Sequence, residues 1–233
     1  MRPTLAGCLM PHPILDACVS IANEGRGLTP RLALRFEGSM VDDTGNVPTE
    51  YWDTAPFGTG VLETEIARCG TGVLTMSGLI GTPGGGYIKN GANGPALPSY
   101  SGAFRVSCFV YPTTINHDYY EVLFYQYGWP LDSTYMMVGY GSRGPFLLLN
   151  GVAIHADGGA GFITVNNWYK LSIARDASNM VRFYINDSQV GSPQALAGTI
   201  PAGPITFGDS FLDGTLTQGG TTCLVDNFYL WGD

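Results

Sequence analysis

The chain has 233 residues, enough for one large all-β domain, and its 45% hydrophobic content supplies ample core. Only 13% of residues are charged, with 11 Lys plus Arg against 19 Asp plus Glu and a net charge of −8. No cationic cluster exists to displace phosphate counterions or meet an anionic surface, so nucleic-acid and membrane-surface binding are excluded. No apolar run approaches the roughly 18 residues of a membrane span.

Residues 1–30 read as an N-terminal arm. Leu5–Ala6–Gly7–Cys8 has the letters of a lipoprotein cleavage box. Only Met1–Thr4 precede it, whereas a signal peptide needs roughly 7–15 apolar residues upstream, so no signal peptide is expected. Ile14–Ala22 predicts two helical turns, which Gly25, Gly27 and Pro30 then break. An arm of this size docks either on its own domain or on a neighbouring subunit.

Residues 31–233 read as an antiparallel β-sandwich. Leu32–Phe36 opens it, and Asp42–Asp43–Thr44–Gly45–Asn46 carries turn chemistry. The Gly-, Pro- and Asn-rich stretch Gly81–Ser101 predicts a long loop around a short strand at Tyr87–Lys89. Period-two alternation then predicts strands at Ala103–Tyr111, Tyr120–Tyr127, Tyr135–Tyr140, Phe146–Leu149, Trp168–Arg175, Val181–Asp187, Ile205–Gly208 and Leu224–Trp231. In the last of these Asp226 shares the parity of Leu224, Phe228 and Leu230. A carboxylate in core phase costs several kcal/mol unless paired or metal-bound. Cys8, Cys18, Cys69, Cys108 and Cys223 are odd in number and irregularly spaced. They fit a reducing cytoplasm better than a disulfide framework, with one bridge such as Cys8–Cys18 left open.

Several of these segments, in this order, resemble the laminin-G-like and concanavalin-A-like jelly-roll family. Leu34–Ser39 followed by Asp42–Asn46 resembles its opening strand and D-x-x-G-N loop. Trp168–Tyr169 with Val181–Asp187 resembles its paired central strands, Ile205–Gly208 its I-G step, and Leu224–Leu230 its final strand. One departure is Asp187–Ser188 where the family has Asp-Gly, which leaves the turn type there open. The resemblance implies a structural calcium held by Glu37, by Asp42 or Asp43, and by Asp226. A loop amide or Arg35 is the alternative partner for Asp226.

Family members that cleave β-glucans carry an E-x-D-x-x-E strand, and none is present here. Glu63–Thr64–Glu65 lacks the central aspartate and reads as a solvated turn edge. His12, His117 and His155 have no motif partners, and no nucleophile elbow or phosphate loop occurs. The chain therefore reads as no enzyme. Asn116, Asp118, Tyr127 and Trp129 place aromatic rings beside polar groups, the chemistry of glycan binding. The same rings also suit capping of the sandwich or packing on another subunit.

The reading favoured by composition and resemblance is a structural protein of a virus particle. It would be a bacteriophage capsid decoration, fibre or tail-associated subunit, assembled in the host cytoplasm. Its partners would be other virion subunits, in a homo-oligomer, with host surface glycans as a further contact. The alternative is a carbohydrate-binding, lectin-like module of a cell-surface or secreted protein.

Overall fold

Side chains that alternate along a strand need two apolar layers to meet, and two facing sheets provide them. A computed structural model describes residues 21–22, 24–25, 27–36, 42–46, 52–54, 59–63, 68–69, 73–77, 88–90, 97–115, 121–127, 135–141, 143–156, 163–203, 205–207 and 223–233. The early strands are β1 Pro30–Leu34, β2 Trp52–Thr54, β3 Thr59–Glu63, β4 Val73–Ser77 and β5 Ile88–Asn90. The middle of the chain adds β6 Phe104–Pro112, β7 Glu121–Tyr127, β8 Tyr135–Gly141, β9 Gly144–Leu149 and β10 Val152–His155. The last five are β11 Tyr169–Arg175, β12 Met180–Ile185, β13 Ser188–Ala195, β14 Ile205–Phe207 and β15 Cys223–Gly232.

The first sheet runs β13-β12-β11-β6-β15-β4-β3, and the second runs β10-β9-β8-β7-β14-β5-β2. Strand β15 lies against β6 along its length, while its other edge takes β4 beside Cys223–Val225 and β1 beside Phe228–Trp231. All these pairings are antiparallel. Between the sheets, Phe124 stacks on Phe228 with centroids 4.9 Å apart, and Phe207 meets both rings edge-on. Such pairs contribute roughly 0.5–1.5 kcal/mol each beyond the area they bury.

The closing strand departs from simple alternation. Its register shifts between Asp226, opposite Phe109, and Tyr229, opposite Ser107, with Asn227 in the left-handed region at φ 48°. This is a β-bulge, and one extra residue reverses the faces on either side of it. Cys223 and Val225 face the core before it, Phe228 and Leu230 after it. Asp226 therefore does not share the phase of Phe228 and Leu230. It lies with Tyr229 and Trp231 on the outer face of the first sheet, where it is wholly buried.

That outer face is covered by the chain's own residues before β1. Ile21 and Leu28 join Ala33, Cys69, Phe109, Tyr229 and Trp231 in a second apolar cluster. Gly25 lies so close to Trp231 that a Cβ there would collide with the indole ring. Glu24 anchors the segment, accepting hydrogen bonds from Arg105 Nε at 2.9 Å, Ser107 Oγ at 2.6 Å and Ser172 Oγ at 3.0 Å, and pairing with Lys170 Nζ.

The cysteine expectation needs correction. Cys69 is disulfide-bonded, while Cys108 and Cys223 are buried free thiols. Burial pushes the Cys108 thiol up to about 12, so it stays protonated and inert at neutral pH. Among the described residues no helix is long and apolar enough to cross a membrane.

Candidate ligand cleft

The turn after β1 builds one side of an open cavity of about 460 Å³ on the outer face of the first sheet. Asp42 fixes that turn. Its Oδ1 accepts the Ala33 and Thr44 backbone amides at 3.0 Å each and the Thr44 hydroxyl at 2.8 Å. Asn46 then reaches back, its side-chain amide donating to the Arg31 carbonyl at 2.9 Å. The loop is thus tied to β1 at both ends, which presents Asp43, Thr44 and Asn46 as a polar wall.

Ala22, Pro30 and Ala33 add apolar lining to the same cavity, together with Tyr229 and Trp231. The Tyr229 and Trp231 rings lie parallel, 10° apart in plane and 5.4 Å between centroids. They share one face because they stand two residues apart on β15 beyond the bulge. Both rings are largely enclosed, at 8% and 4% exposure, so their edges rather than their full faces meet the cavity.

The charges around the cleft are already committed. Arg35 grips Asp43 with two nitrogens, at 2.5 and 3.0 Å, and Arg31 donates from Nε to the Gly232 carbonyl at 2.9 Å. Burial pushes the Tyr229 phenol above its ordinary value, an effect Arg35 offsets in part. Tyr229 is therefore a neutral hydroxyl, donating to Asn227 Oδ1 at 3.3 Å. Among the described residues lining the cavity, Asp43 is the one carboxylate.

The candidates for calcium separate into different environments. Asp42 is spent on the turn amides, and Asp43 on Arg35. Asp226 Oδ2 accepts the Cys69 amide at 2.6 Å and its Oδ1 accepts the Asn227 side-chain amide at 2.8 Å. A loop amide thus does hold the Asp226 charge. Among the described residues no three or more His, Cys, Asp or Glu side chains gather as a metal site. Glu37 lies outside the described residues.

Of the glycan candidates, Asn116, Asp118 and Trp129 lie outside the described residues. Tyr127 ends β7, paired in register with Tyr135, and its side chain is likewise not described. Sequence reasoning missed Asn46, Tyr229 and Trp231 as a group. The core parity of Phe228 and Leu230 already set Tyr229 and Trp231 together on the opposite face, but nothing in the sequence brought them beside the D-D-T-G-N turn.

No protein-family model matches the sequence, and no curated protein does. Solved structures share the fold. Domain 4 of AbnA, an extracellular arabinanase from Geobacillus stearothermophilus, in complex with arabinotriose, has a TM-score of 0.62 at 15% identity. The likeness covers 88% of this chain and 93% of that one. The botulinum neurotoxin serotype D ligand binding domain in complex with N-acetylneuraminic acid has a TM-score of 0.59 at 14% identity, over 93% of this chain and 49% of that one. The neurotoxin type G receptor binding domain gives 0.57 at 14%, over 88% and 48%. The chain spans nearly all of the arabinanase domain and about half of the neurotoxin domains. Identities this low establish a shared all-β sandwich and nothing finer.

Proposed function

We propose that this chain is a non-catalytic carbohydrate-binding module that works outside the cell. The observation that carries the reading is the cleft beside β1 and β15, lined by the stacked Tyr229 and Trp231 together with apolar and polar groups. Carbohydrates need this combination, because their C–H faces pack on apolar surface while their hydroxyls seek hydrogen-bond partners. The likeness to domains solved with arabinotriose and N-acetylneuraminic acid supports it. So does the Cys69 disulfide, since such bonds persist in oxidising compartments.

A virion role as a homo-oligomer draws on sequence features: low charge, unpaired cysteines, no expected signal peptide and a stand-alone jelly roll. Glycan binding draws on fold likeness as well and takes precedence. The test is a glycan array probed with the intact chain: reproducible binding to a defined carbohydrate class supports the reading, and an array without a single retained glycan rejects it.

A further inference from the structure

Resting on that reading, we infer that the cleft between the Asp43–Asn46 turn and the Ala22–Pro30 wall is the carbohydrate site, and that its ligand is an uncharged sugar residue. A cavity of about 460 Å³ lies within the range of roughly 300–1,000 Å³ that small-ligand pockets occupy. Its lining mixes apolar and polar groups, which dictates how a sugar ring sits. The C–H edge goes against Ala22 and Pro30, and the hydroxyl edge faces Asp43 and Asn46.

The polar wall is set to accept rather than to donate. One N–H of the Asn46 amide goes to the Arg31 carbonyl, which leaves its carbonyl oxygen as an acceptor beside one further N–H. The Asp43 carboxylate adds acceptor lone pairs, while Arg35 neutralises its charge. Sugar hydroxyls donate readily to such groups. Among the described residues lining the cavity none is cationic, so an anionic sugar meets no counter-charge there. The net charge of −8 also opposes the approach of an acid.

The cleft is assembled by the segment that Glu24 pins down. Ala22 stands two residues before Glu24 and Pro30 six residues after it, so the ion cluster holds the apolar wall at a fixed distance from the turn. A preformed cleft of this kind loses little entropy on binding.

The experiment uses one array of immobilised neutral and sialylated oligosaccharides, probed with the intact chain, Asn46→Ala and Ala22→Gln. Both substitutions fall at exposed positions, one removing the acceptor and the other filling the apolar side. Melting temperatures are measured in parallel: Ala22→Gln is expected to leave the value unchanged, and Asn46→Ala, which also releases the tie to the Arg31 carbonyl, to lower it slightly. The inference expects neutral glycans to be retained by the intact chain and weakened about tenfold or more in both variants, a loss of one well-made polar or packing contact. Unchanged binding in both variants overturns this location and leaves carbohydrate binding standing. Preference for sialylated glycans overturns the neutral class. An array with no bound glycan overturns both this inference and the function on which it rests.

Discussion

Asn227, at φ 48°, decides which side chains of the last strand face the cleft. A left-handed backbone suits Asn better than residues with bulkier or branched side chains, and its amide also donates to Asp226 at 2.8 Å. Replacing it with Val should cost about 1–3 kcal/mol from the conformational strain alone. Gly should be tolerated better, as chemical denaturation of the two variants would show. Period-two reading could not reveal this residue, because a bulge leaves the letters on both sides equally alternating. That is why Asp226 looked core-facing. The fate of the carboxylates is decided by chelation. With amides already donating to Asp42 and Asp226, EDTA should leave the melting temperature unchanged. A fall that calcium restores would place the cation on these residues. Cys108 and Cys223 should resist thiol reagents in the native chain, since burial raises both thiols. Rapid labelling without unfolding would contradict their burial.

At the scale of elements, the strands that alternate cleanly were legible. The predicted strands from Ala103 to Tyr140, the Trp168–Arg175 strand, and Leu224–Trp231 match β6 to β8, β11 and β15 within a few residues. Strands β2, β3, β4, β10 and β13 were not anticipated, for reasons that differ. Strand β2 has only three residues, and β13 is an exposed edge containing Gly191 and Pro193, with no buried face to impose a pattern. The open question at Asp187–Ser188 resolves one residue earlier. Ile185 pairs with Ser188, so Asn186 and Asp187 form a two-residue hairpin turn with φ of 49° and 67°, the type I′ geometry. In the preceding hairpin, Arg182 donates to Asp176 at 2.7 Å, and the Met180 amide adds a second bond. Together they hold the Asp176 carboxyl below its ordinary 3.8. A depressed carboxyl stabilises the fold above its unfolded value and loses that contribution as pH falls through the folded one. Asp176→Asn should therefore flatten the acid limb of a stability profile, and an unchanged limb would show the pair to be inconsequential. Glu24 has larger consequences. Glu24→Ala would take from Lys170, buried beneath it, and Arg105 their shared anion, but Lys170 would keep Asp187 at 2.6 Å, so the loss should fall below the roughly 3–5 kcal/mol of a fully unpaired buried charge. Thermal unfolding measures this, and an unchanged melting temperature would mean that the 21–28 segment is not held by Glu24.

On the scale of the whole molecule, two facing sheets supply rigidity and the outer surface of one supplies the cleft. The all-β sandwich was legible from sequence because buried layers impose alternation over most of the chain. The cleft was not, because it joins a turn, a bulged strand and a segment before the first strand that meet only after folding. On the proposed reading the cleft offers a sugar a fixed surface with acceptors, and Asp43 is the single acid among the described residues that line it. The most direct measurement follows immobilised and free oligosaccharides together: array binding by the intact chain, with chromatography of the same sugars after prolonged incubation. The account predicts retained neutral glycans recovered at their original length. Shortened products, or no glycan retained, would contradict it.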